Sequence, residues 1–438
     1  MNARDSSVAG NPLDGWTAAR IGLGNATLTR SALVAAQMAR LRETVALAQE
    51  RSPFYRRQLA GIDAASLASP EDLRHLPFTT PTDLRRNDPP LLCVSQSEIR
   101  RVVTLETSGT SGPPKRLFFT ADDQEATLDF FHHGMALPAL AGDRVLILFP
   151  GERPGSVGDL LASALRRLDA QPILAGWPAD PAATAALLRR EQPDVVAGAP
   201  VPMLAVARHG ALDTPPLRVR SVLLSSDHVA ASLRASIAAL WGCEVFEHYG
   251  MTEMGLGGGV DCAAHTGYHM REGELLIEIV DPATGTPTAP GEAGEVVFTT
   301  LTRRGLPLIR YRTGDRSRLL PGACACGSPL ARLDRIHGRI GGGRPIGDAD
   351  PTMAELDETL FGLDEVIDFA ATLCPGTPPT LHLEISHLGA LPPAGLRAAL
   401  AGLRSIATGQ LRVTLTFAPG GRLSSRTGKR RIETEAAA

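Results

Sequence analysis

The chain has 438 residues, of which 43% are hydrophobic and 21% charged, and its formal net charge is -3. These totals describe a globular protein of two or more domains and exclude a general attraction to nucleic acid or acidic membranes, so any anion site must be local. No apolar run reaches the length of a membrane span and the N-terminus resembles no secretory signal, so the cytoplasm is the expected compartment and the six cysteines are expected as thiols.

Residues 1–27 lack periodicity and are expected to be irregular. Met38, Leu41, Val45 and Ala48 then recur at helical spacing and predict an amphipathic helix, and Ser52-Pro53 ends it or opens a short successor. Pro70-Glu71-Asp72-Leu73 and Thr82-Asp83-Leu84-Arg85 read as short helix starts. β-Branched and aromatic residues place strands at 102–104 and 117–119, joined by Thr107-Ser108-Gly109-Thr110-Ser111-Gly112-Pro113-Pro114-Lys115. Glycines there let successive N–H groups turn inward, hydroxyls add donors and Lys115 adds fixed positive charge, so the loop reads as a phosphate cradle between strands.

From residue 145 strands (145–149, 172–174, 195–196, 222–224) alternate with helices (159–168, 181–190, 201–208, 230–241). That repetition predicts a largely parallel sheet with ligands beyond the carboxyl ends of its strands. Strands at 275–280 and 295–299 predict an antiparallel hairpin region. The glycines of Gly338-Arg339-Ile340-Gly341-Gly342-Gly343 mark a hinge. Beyond it, helices at 353–360 and 396–403 and strands at 366–373, 381–385 and 411–417 make a small unit. The predicted fold is α/β. A large domain over 1–338 has mostly parallel sheets flanked by helices plus an antiparallel β region, and a small mobile α+β domain spans 339–438.

Further clusters give the phosphate loop company. His248-Tyr249-Gly250-Met251-Thr252-Glu253 follows the last βα unit with a ring, a hydroxyl and a carboxylate suited to a hard cation. Arg310-Tyr311-Arg312-Thr313-Gly314-Asp315 presents Asp315, expected on a turn after a strand, with two oxygens that suit a ribose diol. Thr427-Gly428-Lys429 places a lysine near the C-terminus. Cys324-Ala325-Cys326-Gly327 forms a knuckle-like turn, and Cys262 with His269 lies upstream. Three sulfurs and one imidazole suit a closed, structural zinc site, with His265 as an alternative to His269.

The loop at 107–115, Tyr-Gly-x-Thr-Glu at 249–253, Tyr-Arg-Thr-Gly-Asp at 311–315, Gly338-Arg339 and the terminal Gly428-Lys429 resemble, in order, the core motifs of the adenylate-forming (acyl-CoA synthetase) superfamily. Ser52-Pro53-Phe54-Tyr55-Arg56, Leu76-Pro77-Phe78-Thr79-Thr80 and Pro307-Leu308-Ile309-Arg310-Tyr311-Arg312 are similar to its phenylacetate–CoA ligase branch. The resemblance implies an AMP-forming ligase: a carboxylate, aryl or small acyl, attacks the α-phosphate of ATP, and the acyl-adenylate meets the thiol of coenzyme A. By resemblance, Thr107, Ser108, Gly109, Thr110, Ser111, Gly112 and Lys115 hold the β- and γ-phosphates, Thr252 (after Gly250) the α-phosphate, and Glu253 Mg²⁺. Tyr249 packs on adenine, with Ser226 and Asp227 as a further adenine contact. Asp315 takes the ribose, with Arg339 nearby, and Lys429 bridges acyl carboxylate and phosphate. Some relatives carry similar cysteine–histidine sets. The implied partners are a carboxylic acid, ATP and coenzyme A, with no nucleic acid and no membrane, and the default assembly is a homodimer. The branch's usual acidic hinge residues are replaced by Ile340-Gly341-Gly342-Gly343. That keeps open an adenylate-forming enzyme with a different acceptor, making an amide or adenylylating a coenzyme, and a nucleotide-binding regulatory homologue without turnover.

Overall fold

The computed structural model describes residues 11–24, 26–88, 90–105, 114–212, 215, 217–340, 351–421, 423 and 430–435. The chain divides into two compact units that do not follow chain order, Met1–Leu137 with His248–Ile340 and Pro138–Glu247 with Gly341–Ala438.

In the first unit the anticipated long helix is Arg30–Arg51, with Leu33, Gln37, Met38, Leu41, Thr44, Val45 and Ala48 buried along one stripe. Ser52 ends it and caps the next helix, Pro53–Gln58, because Pro53 has no N–H to continue the ladder. The expectation of irregular chain over 1–27 is corrected: Pro12–Arg20 is a helix, N-capped by Asn11 with proline in its first turn. Its buried face is Leu13, Trp16, Thr17 and Ala18, a stripe too short for periodicity to declare itself. Strands Ile99–Leu105 and Lys115–Thr120 pair antiparallel with Leu105 opposite Lys115, so the two ends of the cradle loop are neighbours. Thr107, Ser108, Gly109, Thr110, Ser111 and Gly112 themselves lie outside the described residues. Helix Ala121–Met135 follows at once, started by a capping box of Thr120 and Asp123.

The hairpin region is present as Leu275–Val280 and Gly294–Thr300, extended by Tyr311–Ser317 and Gly338–Arg339 into one antiparallel sheet. Gly259–Asp261 pairs with residues 248–249 and with Tyr268–Met270, which pairs in turn with Arg332–Leu333.

In the second unit, Gln171–Leu174, Arg144–Leu148, Val195–Gly198, Ser221–Leu224 and residues 244–247 lie side by side in that order, all parallel. Helices Val157–Arg167, Pro181–Glu191, Pro200–Gly210 and Ala231–Trp241 make the crossovers. Val195–Gly198 and Ser221–Leu224 are buried throughout, as expected where helices cover both sheet faces. The C-terminal segment carries helices Met353–Phe361 and Pro393–Leu400 and a four-stranded sheet in the order Arg412–Pro419, Thr380–His387, Val366–Cys374, Glu433–Thr434. Leu356, Phe361, Val366 and Leu383 share an apolar core with Val201, Leu204 and Trp241. The buried Arg208 guanidinium, on helix Pro200–Gly210, donates to the carbonyls of Phe361 (2.8 Å) and Val366. Of the anticipated hinge over 338–343, Gly338–Arg339 is strand paired with residues 315–316, and residues 341–343 lie outside the described residues. No helix among the described residues is long and apolar enough to cross a membrane.

Candidate active site

The three segments typical of the phenylacetate–CoA ligase branch meet in the first unit as one buried knot. Tyr55 Oη lies 2.8 Å from Thr79 Oγ1 and 3.2 Å from the Pro307 carbonyl, and accepts from the Ile309 N–H at 3.0 Å. Thr79 N–H donates to the Arg310 carbonyl, and Arg312 N–H to the Thr79 carbonyl. Arg310 is 2% exposed; it pairs with Glu278 at 2.9 Å, donates to the Leu76 carbonyl at 2.8 Å and stacks over Phe78. A charge so buried is tolerable only when paired and hydrogen-bonded, and all its partners here come from other segments. The knot fixes the chain at the start of Tyr311–Ser317, the strand that carries much of the site.

Burial along that strand alternates, with Tyr311, Thr313 and Asp315 turned inward. The Tyr311 hydroxyl donates to Glu253 Oε1 at 3.0 Å, and the Lys115 ammonium pairs with the same oxygen. Glu253 sits in the single turn Thr252–Met254, just beyond Tyr249-Gly250, and Arg303 Nη1 donates to its carbonyl at 2.9 Å. Lys115, Thr252 and Glu253 are therefore gathered at the return of the cradle loop. Tyr311 and Arg303, to which the motifs assign no task, hold Glu253 in place. The alternation of Tyr311 with Asp315 is the signal that could have identified the first; nothing local marks the second.

Asp315 is not on a turn, as expected, but within the strand. Between the pairs Glu295–Arg316 and Val297–Arg312 the partner strand has one residue and this strand three, so residues 313–315 form a bulge. Gly314 supplies the left-handed conformation that the bulge needs, at φ 75°. Tyr249 Oη donates to Asp315 Oδ2 at 3.1 Å, and Arg339 Nε to Oδ1 at 2.7 Å. Each oxygen keeps a further lone pair, so the carboxylate can still accept from a diol. Burial would lower the basicity of Arg339, but Asp315 opposes this and holds its pKa above the ordinary value. Tyr249 also lies against Tyr268, with ring centroids 5.9 Å apart.

In the second unit Ser226 and Asp227 follow the carboxyl end of strand Ser221–Leu224, with Ser226 at φ 83°. Asp227 Oδ2 accepts from the backbone N–H of Arg430 at 3.4 Å. Lys429 lies outside the described residues.

The cysteine cluster assembles as anticipated, with Cys262, His269, Cys324 and Cys326 all buried and their donor atoms within 4.8 Å of one another. Cys262 Sγ to Cys324 Sγ is 3.6 Å and Cys326 Sγ to His269 Nε2 is 3.3 Å. A tetrahedron of zinc–sulfur bonds of about 2.3 Å has edges of about 3.8 Å, so the spacing fits an ion at the centre. Burial pushes the Cys262 and Cys326 thiols above their ordinary value despite the backbone N–H groups of Ala264 and Ser328, whereas the Cys326 N–H and the neighbouring side chains hold Cys324 below it against the same burial. His265 is drawn off by Asp261, 3.4 Å away, leaving His269 as the imidazole of the set.

Comparison with known proteins fixes the family. Residues 88–301 match the family described as AMP-binding enzyme. The phenylacetate–coenzyme A ligase of Thermus thermophilus is 31% identical over 355 residues, 78% of each chain. That of Escherichia coli is 33% identical over 321 residues, 70% of this chain and 71% of its own. The chain belongs to the phenylacetate–CoA ligase branch of the adenylate-forming enzymes. It is an AMP-forming acid–thiol ligase. Its fold matches that of 2-hydroxyisobutyryl-CoA ligase in complex with its acyl-adenylate, with a TM-score of 0.80 at 22% identity over 100% of this chain and 94% of the other.

Proposed function

We propose that this ligase activates an aryl or small acyl acid with ATP as an acyl-adenylate and passes the acyl group to coenzyme A. What supports the reading most is the joined set of Lys115, Glu253 and Tyr311 beside Tyr249, Asp315 and Arg339 in one unit. Attack by a carboxylate anion on a polyphosphate needs charge neutralisation and in-line positioning more than proton transfer. In this reading Lys115 and the loop before it hold the β- and γ-phosphates and Thr252 the α-phosphate. Glu253, a buried oxygen donor, takes Mg²⁺, and Asp315 takes the ribose. Lys429 neutralises charge between the acyl carboxylate and the α-phosphate. In the same reading the three thiolates and His269 hold a structural zinc, since four protein ligands leave no open position for substrate.

The test is pyrophosphate release across a panel of aryl and short-chain acids headed by phenylacetate, with and without coenzyme A. The expected result is pyrophosphate and AMP with at least one acid, and a thioester only when coenzyme A is present. Pyrophosphate without thioester would favour another acceptor; no pyrophosphate with any acid would favour the regulatory homologue.

A further inference from the structure

Beside Tyr249 stand three residues with no task in the reaction described above: Tyr268, Arg335 and Asp261. Strand Gly259–Asp261 pairs on one side with residues 248–249 and on the other with Tyr268–Met270, and Asp261 is opposite Tyr268. A Cβ on Gly259 would meet Met270 Sδ at 2.8 Å and Tyr268 Cβ at 3.1 Å, so the strands close up in this way only around a glycine. Side chains alternate along a strand, so Tyr268 turns away from the face on which the adjoining His269 joins the cysteine cluster. Tyr268 is only 6% exposed; its ring lies against that of Tyr249, and the Arg335 guanidinium lies over it, 4.7 Å from its centroid.

Arg335 is held in turn. Asp261 is fully buried, and such a carboxylate is tolerable only with a cation beside it. Arg335 Nη2 reaches its two oxygens at 3.0 and 3.1 Å, and His265 Nδ1 approaches one of them at 3.4 Å. The chain around Arg335 is fixed as well. Ser317 Oγ donates to the Asp334 and Arg335 carbonyls at 2.8 and 3.2 Å, and the His337 N–H to the Arg316 carbonyl at 2.8 Å. Two residues further on, Arg339 reaches Asp315, so the contacts close on themselves. One oxygen of Asp315 is bound by the Tyr249 hydroxyl and the other by Arg339, while Tyr268 and Arg335 join the Tyr249 ring to the segment that carries Arg339. Burial and the Asp315 charge keep the Tyr249 hydroxyl protonated, so that it donates to the carboxylate.

We propose that Tyr268 is a positioning residue for the nucleotide: braced by Arg335 and Asp261, its ring sets the Tyr249 ring and hydroxyl, and through them the Asp315 carboxylate that takes the ribose. The proposal rests on the reading of Tyr249 and Asp315 given above. It differs from plain core packing in what it disturbs, because the loss falls on the nucleoside and not on the acid.

The test takes the full chain and measures the dissociation constant of AMP by calorimetry in Tyr249→Leu, Tyr268→Leu, Tyr268→Phe, Arg335→Met and the double variant Tyr249→Leu/Tyr268→Leu. The KM for ATP, the KM for the panel acid that releases pyrophosphate fastest, and kcat at saturating ATP are measured alongside. In Tyr268→Leu the AMP dissociation constant and the KM for ATP are expected to rise by about 2- to 12-fold, the range for losing one aromatic pair, with the acid's KM and kcat unchanged. Tyr268→Phe, which keeps the ring, should recover most of the loss. Arg335→Met should weaken AMP in the same sense, and it carries the comparison if Tyr268→Leu does not fold. The double variant should bind AMP no more weakly than Tyr249→Leu, since the Tyr268 ring acts through Tyr249. Wild-type AMP affinity in Tyr268→Leu and Arg335→Met, with Tyr249→Leu weakened, overturns the proposal. So does a rise in the acid's KM as large as that for ATP, or additive losses in the double variant. Wild-type AMP affinity in Tyr249→Leu removes the underlying assignment of that tyrosine instead.

Discussion

Glu253 shows how neighbours decide a residue's chemistry. Burial alone would push its carboxyl up, but Lys115, and after it Tyr311, more than offset this and hold it below its ordinary value. An ionised, buried carboxylate with an ammonium beside it is an oxygen donor that a divalent cation can take over, and the Tyr311 hydroxyl keeps it oriented either way. Tyr311→Phe removes one hydrogen bond to a charged group, worth about 1.5–3 kcal/mol, without changing the ring's volume. Pyrophosphate release in that variant is expected to fall by about 10- to 150-fold, in keeping with that energy, and to recover partly as Mg²⁺ is raised. A titration against Mg²⁺ checks this, and a rate unchanged at every Mg²⁺ concentration would separate Glu253 from the metal. Tyr311 stood inside a motif, yet its task was not legible because its partner lies 58 positions away. Asp315 stood out by residue type, but its bulge did not, since register is a property of two strands.

At the scale of elements, the best-read parts of the chain were those whose signal is local. Prolines and acids gave the short helix starts at Pro70 and Pro81, and the βα alternation gave the parallel sheet and the helix from Pro181. Helix Pro12–Arg20 failed to show because its buried face has only a few side chains and Gly15 weakens its propensity. The thiol–imidazole cluster was legible in its spacing, but the choice between His265 and His269 was not, because it depends on Asp261. That acid is bound by Arg335 at 3.0 Å and itself lies 3.4 Å from His265. If zinc ties the Cys324 turn to the strand Tyr268–Met270, metal analysis should find about one zinc per chain. Cys326→Ser should then lower metal affinity by more than the ~10–100-fold that losing an outer-shell partner costs, and lower the Tm. Metal-free wild-type protein with an unaltered Tm would contradict the assignment.

For the whole molecule, chain order and spatial order differ. The first unit takes residues from both sides of the parallel-sheet segment, and the second joins that segment to the C-terminal segment. Composition and periodicity cannot announce such an arrangement, because it depends on which apolar faces meet: those of helix Pro200–Gly210 and of the C-terminal helix and sheet belong to one core. The resemblance carried by short motifs did announce the family, since phosphate, ribose and metal contacts each need particular residue types at fixed points along the chain. The central claim is that a carboxylate oxygen attacks the α-phosphate. Turnover of an acid labelled with ¹⁸O in its carboxylate, with ATP and coenzyme A, tests it directly. The account predicts AMP carrying one labelled oxygen, with pyrophosphate unlabelled; ADP and phosphate as products, or AMP without label, would contradict it.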